Sequence, residues 1–546
     1  MEPLFLDRLQ QTRRDDRPNL PLILRDLSQV NFTEDPKKSE VLEQIKTLFP
    51  LTCNSNVLKG QLGKKRSRKS LQIGVVFSGG QASGGHNVII GIHDAIKQFD
   101  SGSCLFGFLG GPSGIITGKS QELTAEFIAP YRNQGGFDMI GSGRTKIETG
   151  EQLAASLDIA KKMKLDGLVV IGGDDSNTNA AILAEYFLKN GCQTRVIGVP
   201  KTIDGDLKND FVATSFGFDT ASKTYSEIIG NISRDAISAK KYYHFIKLMG
   251  RSASHIALEC ALMTQPNLTL IGEEIAEKKM TLSQLAKEVA DLVTKRAELG
   301  KNFGVILIPE GLIEFIPEMR VLIKELNHIL SIESVISLNQ ISSKLTSTSQ
   351  QCFNALPERI QQQLLQERDP HGNVQVSLIE TERLLIEIAS SELVSRQKKG
   401  NYQGKFSPLQ HFLGYEGRAG YPTHFDSNYC YALGHVAALL INEGATGYMS
   451  FISNLTAPVE EWGIGGVPLT SLMHLETRKG KEKPVIQKAL VDLKGKPFMY
   501  FQQQREQFKF ADDYRYPGPI QFNGDSKWIH RVPLTLLIEN LPYVSN

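Results

Sequence analysis

The chain has 546 residues, of which 41% are apolar, and its 61 Lys and Arg residues nearly balance 59 Asp and Glu residues, for a net charge of +2. Single hydrophobic cores stop growing at roughly 250–300 residues, so we expect two or more domains. A chain so close to neutral has no global attraction for nucleic acid or for anionic membranes. Positive charge for an anionic substrate would have to be concentrated locally.

Cysteine use and hydropathy favour a cytoplasmic protein. The six cysteines are scattered singly, without C-x-x-C spacing, which argues against a zinc site and a disulfide framework. The first residues, MEPLFLDRLQQTRRDD, lack the basic-then-apolar order of a signal peptide. No run approaches the ~20 apolar residues of a membrane span. The longest, near 429–441, contains His435 and predicts a buried helix.

Residues 1–70 are predicted to form an N-terminal extension. The extension holds amphipathic pieces such as VLEQIKTLF and ends in a basic cluster, whose members are Lys64, Lys65, Arg66, Arg68 and Lys69. A solvated linker is the simplest interpretation of such a run. A nuclear localisation signal or a rim that attracts phosphate is the alternative.

From Leu71 onward, short apolar runs end in glycine-rich loops and lead into helical segments. The near-continuous Val, Ile and Leu of runs such as LQIGVVF, LDGLVVI and FGVILI predicts buried parallel strands in βα units. We therefore predict an α/β protein with two Rossmann-like halves around a cleft. The predicted parts are a first α/β domain over 71–236, a second over 237–312 and 400–510, a helical insertion over 313–399, and a C-terminal segment over 511–546.

Three polar loops follow successive predicted strands of the first domain, at the sheet edge where open α/β folds bind ligands. The first loop, SGGQASGGHN over 78–87, lets the backbone approach a phosphate, and the helix N-terminus that follows favours negative charge. A simple tight turn is the alternative. The loop contains neither G-x-G-x-x-G nor GK[ST], which disfavours a dinucleotide-binding fold.

The second loop, GGDDS over 172–176, places two carboxylates side by side at a strand end. An aspartate there can hold Mg²⁺ against phosphate oxygens. The alternative is helix capping by Asp175 or Ser176, ahead of a helix predicted from about 178 to 189.

The third loop, PKTIDGDLKND over 200–210, has Asp204 and Asp206 on either side of a glycine, with Lys201 just upstream. A carboxylate in a phosphate-binding site can take the proton of an attacking hydroxyl. A lysine can neutralise phosphate oxygens during transfer. A plain acidic turn is the less favoured interpretation, because this is the third such loop in a row.

Three further motifs lie downstream, namely LMGR over 248–251, PEG over 309–311 and GYEGRAGYP over 414–422. Arg251 and Arg418 suit a phosphate monoester. Glu310 can accept hydrogen bonds from sugar hydroxyls. Each of these residues taken alone is more typical of a surface ion pair.

In this order, SGGQ, GGDDS, PKTIDGD, MGR, PEG and YEGR resemble the phosphofructokinase family, and in particular its long pyrophosphate-dependent branch. The resemblance extends over about 71–448. The family's first loop commonly reads SGGQAPGGHN, and Ser83 here replaces the proline, which should loosen the turn slightly. The resemblance implies a Mg²⁺-dependent, reversible glycolytic transfer of a phosphoryl group from pyrophosphate to the 1-hydroxyl of fructose 6-phosphate.

The resemblance also implies residue roles. Asp204 would be the catalytic base, with Lys201 and Asp175 as further catalytic residues, and Asp174 would hold Mg²⁺. The residues expected to bind substrate are Gly79, Gly80, Thr202, Ile203, Asp204, Asp206, Lys241, Tyr242, Met249, Gly250, Arg251, Glu310, Tyr415, Glu416, Gly417 and Arg418. Of these, Lys241 and Tyr242 would come from a neighbouring subunit, which implies a homodimer.

Two positions bear on the phosphoryl donor, because ATP-using relatives typically have glycine where Asp175 and Lys201 stand. Asp175 puts volume and negative charge where the α-phosphate of a nucleotide would lie. An ATP-dependent phosphofructokinase is therefore the less favoured alternative. A non-catalytic regulatory subunit is disfavoured because Asp174, Asp204 and Lys201 are all present. A nucleotide-binding sensor would need an adenine pocket, which no motif indicates.

Overall fold

The computed structural model describes residues 11–35, 41–332, 338–366, 374–478, 481–518 and 532–541. Its strands are β1 (Val30–Glu34), β2 (Leu58–Leu62), β3 (Gln72–Ser78), β4 (Cys104–Phe108), β5 (Ser120–Glu122), β6 (Ser142–Gly143), β7 (Gly167–Gly172), β8 (Arg195–Pro200), β9 (Tyr243–Leu248), β10 (Leu268–Thr269), β11 (Gly304–Pro309), β12 (Pro408–Leu413), β13 (Tyr448–Ser453), β14 (Gly463–Pro468), β15 (Met473–Arg478) and β16 (Lys481–Ile486). Its α-helices are α1 (Glu43–Leu48), α2 (Gly85–Phe99), α3 (Pro112–Thr117), α4 (Ala125–Ile128), α5 (Gly150–Lys162), α6 (Asp174–Lys189), α7 (Phe218–Ala239), α8 (His255–Thr264), α9 (Gly272–Glu277), α10 (Leu282–Glu298), α11 (Leu312–Phe315), α12 (Pro317–Ile332), α13 (Leu338–Lys344), α14 (Ser347–Ala355), α15 (Glu358–Leu364), α16 (Thr381–Lys398), α17 (His424–Asn442), α18 (Lys496–Ala511) and α19 (Leu534–Asn540).

The chain forms two compact units. Within the described residues, unit 1 comprises residues up to 221, 418–489 and 532–536, and unit 2 comprises 222–417, 490–518 and 537–541. Residues 519–531 and 542–546 of the predicted C-terminal segment lie outside the described residues. Among the described helices, none combines the length and the apolar character needed to cross a bilayer.

Unit 1 is built on a sheet with the strand order β1-β2-β14-β13-β8-β7-β3-β4-β5, and β6 pairs beside β3. β13, β8, β7, β3 and β4 run parallel to one another. Every residue of β7 is buried, as expected for a central parallel strand covered on both faces. The predicted α/β class is confirmed. Because β8, β7 and β3 are neighbours, the three polar loops that follow them meet at one edge of the sheet.

The segment 418–489 groups with unit 1, whereas the sequence analysis assigned 400–510 to the second domain. Two contacts explain the difference. β13 pairs in parallel with β8, and α17 packs against α2 through glycines. A Cβ built on Gly91 would lie 2.3 Å from the carbonyl oxygen of Tyr431, and one on Gly434 would lie 2.2 Å from that of Val88. The apolar run near 429–441 is the buried core of α17, as predicted.

The N-terminal extension adds two strands to this sheet, since β1 pairs with β2 and β2 with β14. Its basic cluster is largely paired with carboxylates. Arg66 and Arg68 both contact Glu443, while Lys65 and Lys69 each lie within 4 Å of an aspartate. The cluster therefore fastens the extension to unit 1, and little of its charge remains for a phosphate-attracting rim.

Unit 2 contains a four-stranded parallel sheet with the order β10-β11-β9-β12. The segment 313–399 is helical in its described part, and its helices share a core with β9 and β11. A buried ion pair supports that packing: Lys247 Nζ of β9 lies 3.2 Å from Glu382 Oε2 of α16. All six cysteines of the chain are free thiols.

Candidate active site

Cationic side chains surround the Gly79–Gly80 turn at the carboxyl end of β3. Gly79 has a φ of +89°, a conformation that glycine adopts without strain. A Cβ built on Gly79 would lie 3.3 Å from Lys201 Nζ. One built on Gly80 would lie 3.2 Å from Arg418 Nη1 and 3.7 Å from Arg144 Nη2. The half-buried turn and the three cations together form a site suited to phosphate groups.

Lys201 is a buried lysine, with only 6% of its surface exposed. Burial lowers the pKa of its ammonium group to about 8, and the nearby charges of Arg144 and Arg418 act in the same direction. The carboxylates of Asp204 and Asp174 oppose that shift. An anion placed beside Lys201 would favour the charged form further.

The GGDDS loop contains the start of a helix, which begins earlier in the chain than predicted. α6 begins at Asp174 with Gly173 as its N-cap, and no side chain caps it, so capping by Asp175 or Ser176 is wrong. Ser176 instead donates from its hydroxyl to Ser78 Oγ at 2.8 Å, which joins the second loop to the first. Asp174 and Asp175 occupy the first turn, where the helix dipole favours negative charge.

Asp175 forms an ion pair with a residue that the sequence analysis did not consider. Lys146 Nζ, in the loop after β6, lies 3.1 Å from Asp175 Oδ1. The carboxylates that act on the Lys201 ammonium are those of Asp204 and Asp174. The ion pair with Lys146 therefore orients the carboxylate of Asp175.

The PKTIDGD loop brings more carboxylates to the same edge. Asp206 is 3% exposed, and burial, together with the negative charges of Asp204 and Asp174, raises its pKa to about 7. Lys488 opposes the shift, with its Nζ 3.4 Å from Asp174 Oδ2 and 3.8 Å from Asp206 Oδ2. The turn is held by Thr202, whose hydroxyl accepts a hydrogen bond from the N–H of Asp204 at 3.1 Å. Ile203 is buried.

These carboxylates fit a hard dication, because their oxygens are the ligands that Mg²⁺ prefers and their mutual repulsion would be relieved by a cation. Within the described part of the chain, no group of three or more His, Cys, Asp or Glu side chains is arranged to hold a metal alone. Mg²⁺ at Asp174 would thus need water or phosphate oxygens to complete its coordination shell, which is usual for this ion.

In unit 2, close backbone contacts shape the loops that follow β9 and β11. The N–H of Gly250 donates to Glu310 Oε2 at 2.9 Å, and Glu310 is 2% exposed. Gly311 must be glycine, because a Cβ there would lie 2.0 Å from the carbonyl oxygen of Arg251. Met249 is joined to the carboxyl end of β12 through its N–H, which donates to the carbonyl of Leu413 at 2.9 Å.

The loop after β12 is also tightly packed. The hydroxyl of Tyr225 donates to the carbonyl of Gly414, and a Cβ on Gly417 would lie 2.5 Å from the Tyr225 ring. Glu416 accepts from the N–H of Gly414 at 2.7 Å. Tyr415 is 64% exposed. The predicted sugar-phosphate residues Met249, Gly250, Arg251, Glu310 and Tyr415–Gly417 thus belong to one edge of the unit 2 sheet.

Three predicted residues lie apart from that set. Arg418 belongs to unit 1, where it donates to Gln81 Oε1 at 2.8 Å beside Gly80. Lys241 and Tyr242 precede β9, so they lie at the opposite edge of the unit 2 sheet from Met249. A six-residue strand spans about 20 Å, which separates them from the loops of their own unit. Lys241 Nζ lies 5.0 Å from the centre of the Tyr242 ring.

Ser83, the residue that departs from the usual family loop, is fully buried. Its hydroxyl donates to the carbonyl of Gly420 at 2.7 Å. The first loop is therefore joined to the segment that carries Arg418, a contact that proline could not make.

Sequence reasoning missed three cations of the site: Arg144, Lys146 and Lys488. Arg144 and Lys146 follow β6, a strand of only two residues without a hydrophobic pattern. Lys488 is far from the other motifs along the chain. The GSGRTK run over 141–146 was the available signal, since two cations in a glycine-containing loop suit phosphate binding.

Comparisons with known proteins identify the family of the chain. The phosphofructokinase family profile matches residues 72–441. Pyrophosphate–fructose 6-phosphate 1-phosphotransferase subunit beta 2 of Arabidopsis thaliana is 54% identical over 94% of this chain and 91% of that protein. The pyrophosphate–fructose 6-phosphate 1-phosphotransferase of Treponema pallidum is 49% identical over 97% of this chain and 96% of its own. That of Entamoeba histolytica is 48% identical over 98% of this chain and 100% of its own.

Among solved structures, the pyrophosphate-dependent phosphofructokinase of Nitrosospira multiformis matches with a TM-score of 0.54 and 15% identity, over 88% of this chain and 99% of that one. At that identity the likeness concerns the fold alone. The family profile covers more than half of the chain, and the relatives match it over nearly their full lengths. The resemblance found in the motifs is confirmed: the chain belongs to the phosphofructokinase family.

Proposed function

We propose that the protein is a pyrophosphate-dependent 6-phosphofructokinase, which transfers a phosphoryl group from pyrophosphate to the 1-hydroxyl of fructose 6-phosphate and releases orthophosphate. The observation that carries the proposal is the buried Lys201 beside the open Gly79–Gly80 turn, next to the carboxylates of Asp174 and Asp204. The substrates are those in the names of relatives that are about half identical over nearly the whole chain.

Asp204 is the proposed general base. A carboxylate at the end of β8 takes the proton of the 1-hydroxyl as its oxygen attacks the phosphorus. Thr202 orients that loop through its bond to the N–H of Asp204. Lys201 neutralises charge as it moves onto the leaving orthophosphate, and burial strengthens this interaction because the local dielectric constant is low.

Asp174 is the proposed Mg²⁺ ligand, and the bound ion would supply charge neutralisation and orientation of the phosphate oxygens. The backbone N–H of Gly80 would bind the pyrophosphate, because the N–H of Gly79 already donates to the carbonyl of Gly143 at 2.9 Å. Arg144 extends the positive face of the same turn.

Asp175 is proposed to select the donor. Its carboxylate lies in the first turn of α6, held by Lys146 at 3.1 Å. A nucleotide would have to bring its α-phosphate against this charge and volume, whereas pyrophosphate has no such group. The same ion pair gives Asp175 a fixed orientation.

The unit 2 loops are proposed to recognise fructose 6-phosphate. Glu310 uses one carboxylate oxygen to accept from the N–H of Gly250, which orients the group toward sugar hydroxyls. Arg251 suits the 6-phosphate as a charge-assisted donor. Arg418 belongs to unit 1, where it lies beside Gly80. Tyr415, with most of its surface exposed, suits stacking or hydrogen bonding to the sugar.

Lys241 and Tyr242 are proposed to act in the site of a second copy, because they lie about one strand length from the loops of their own unit. This arrangement requires a homodimer. Mixing Asp204→Ser chains with Lys241→Ala chains should restore activity, since one hybrid site would hold both intact residues. Failure to regain activity after demonstrated subunit exchange would contradict the shared site. The six free thiols support a cytoplasmic location.

The proposed activity is tested by steady-state assays with fructose 6-phosphate, Mg²⁺ and either pyrophosphate or ATP. We expect fructose 1,6-bisphosphate to form with pyrophosphate and not with ATP. Product from ATP alone would favour the ATP-dependent alternative. No product from either donor, in protein whose fold is verified by circular dichroism, would favour the regulatory-subunit alternative.

A further inference from the structure

Lys488 has no part in the reaction described above, yet it contacts the centre of the unit 1 site. Its Nζ is 3.4 Å from Asp174 Oδ2, the proposed metal ligand, and 3.8 Å from Asp206 Oδ2. Its side chain is only a quarter exposed. An ammonium group therefore faces the same two carboxylates that a divalent cation would approach.

The backbone on both sides of Lys488 is bonded to the segments that carry those carboxylates. The N–H of Ala489 donates to the carbonyl of Asp206 at 2.8 Å. The N–H of Ile486 donates to Thr178 Oγ1 at 3.1 Å, and that hydroxyl donates to the carbonyl of the first residue of α6 at 2.9 Å. The end of the β15–β16 hairpin thus holds Lys488 at a fixed place relative to both loops.

The charge of Lys488 acts in opposite directions on two possible ligands. Asp174, Asp204 and the partly ionised Asp206 form a cluster of negative charge, and Lys488 compensates one unit of it. A bare divalent cation is bound less tightly because of that compensation. A metal–pyrophosphate complex is an anion, so it is bound more tightly when Lys488 is charged.

We propose that Lys488 is a positioning residue that holds Asp174 and Asp206 and sets the charge of the site. By this means the site takes up the metal as its pyrophosphate complex in preference to the free cation. The inference rests on the proposed function, because it takes Asp174 as the metal ligand and pyrophosphate as the donor.

The test uses the full-length Lys488→Met variant and two binding measurements that need no turnover. Mn²⁺ binding without pyrophosphate is followed by electron paramagnetic resonance, and binding of Mg²⁺–imidodiphosphate, which is not transferred, by calorimetry. We expect Mn²⁺ to bind tighter and the imidodiphosphate complex to bind weaker, each on the order of tenfold, as the loss of a unit charge about 4 Å away implies. Lys488→Arg should resemble the wild type in both.

Lys483→Met is the matched control, because it removes the same charge from the same hairpin. Lys483 Nζ pairs with Glu148 at 3.0 Å where both side chains are about 40% exposed, so both affinities should stay unchanged. If Lys488→Met weakens both ligands, its role is structural and the proposal fails, as it does if neither affinity moves. Asp174→Asn should greatly weaken Mn²⁺ binding. Unchanged Mn²⁺ binding in that variant would instead overturn the proposed metal ligand, and with it this inference.

Discussion

The two units place their ligand-facing loops at the same kind of sheet edge but build them differently. In unit 1 the loops concentrate charge: Lys201 is buried beside Asp174 and Asp204, and its pKa is lowered to about 8. In unit 2 the backbone segments of the loops pack closely against each other. A Cβ built on Gly311, for example, would lie only 2.0 Å from the carbonyl oxygen of Arg251. The difference fits the proposed roles, in which unit 1 carries out the transfer through charged groups and unit 2 recognises the sugar phosphate through shape.

The sharpest test of the unit 1 half is the loss of its base. Asp204→Ser should lower kcat by roughly 10²–10⁴-fold, because serine is a far weaker base than the carboxylate proposed to take the proton of the attacking hydroxyl. Fructose 6-phosphate should still bind. Asp210→Ser, in the exposed end of the same loop, is the matched control and should retain activity. A kcat close to the wild-type value in Asp204→Ser would remove that residue from the role.

Sugar-phosphate binding by the unit 2 loops should be sensitive to added side-chain volume more than to a change of charge. Gly311→Ala forces the Arg251 backbone away, and a displacement of about 1 Å in a binding loop can cost on the order of 10²-fold in kcat/KM for fructose 6-phosphate. Binding of imidodiphosphate should not change. Gly150→Ala is the control, since a Cβ there meets no atom within 4 Å. Equal losses for both ligands would show that the two halves are not separable in this way.

The loops of unit 1 could be predicted from sequence because each follows a strand of continuous Val and Ile and carries its own polar residues. Their convergence followed from the rule for parallel sheets. The GSGRTK run marks Arg144 and Lys146 as candidates for phosphate binding. The place of these side chains and of Lys488 in the site could not be predicted, because it depends on a two-residue strand and on a distant hairpin. The sequence also could not show that 418–489 joins unit 1, since β13 pairs with β8 across a gap of some 250 residues.

The pH dependence of kcat/KM for pyrophosphate should report on the charge of Lys201 in unit 1. Lys201 acts in its charged form, and its pKa of about 8 means that this form is lost as pH rises above 8. kcat/KM for pyrophosphate should then fall about tenfold per pH unit on the alkaline side. In Lys201→Arg the guanidinium stays protonated, so this decline should move to higher pH. The wild type and the variant share the ionisation of pyrophosphate itself, and identical profiles would exclude Lys201 as the titrating group.

The smallest expected effect concerns donor choice. Asp175→Gly removes a carboxylate and its volume from the first turn of α6, so ATP should become a measurable but poor donor. Lys146→Met removes the ion-pair partner of Asp175 but leaves its volume, and ATP should remain excluded. Measuring kcat/KM for both donors in both variants checks this. Undetectable ATP use in Asp175→Gly, with unchanged pyrophosphate turnover, would argue against donor selection by this residue.

In the proposed reaction, the unit 1 site moves a phosphoryl group from pyrophosphate to the sugar. A single-turnover reaction of the wild-type enzyme with ³²P-labelled pyrophosphate, Mg²⁺ and fructose 6-phosphate follows this transfer. We expect the label to divide equally between fructose 1,6-bisphosphate and orthophosphate, and to reach the sugar at least about 10²-fold more slowly in Asp204→Ser. Recovery of all the label as orthophosphate would show hydrolysis without transfer and would overturn the proposed reaction.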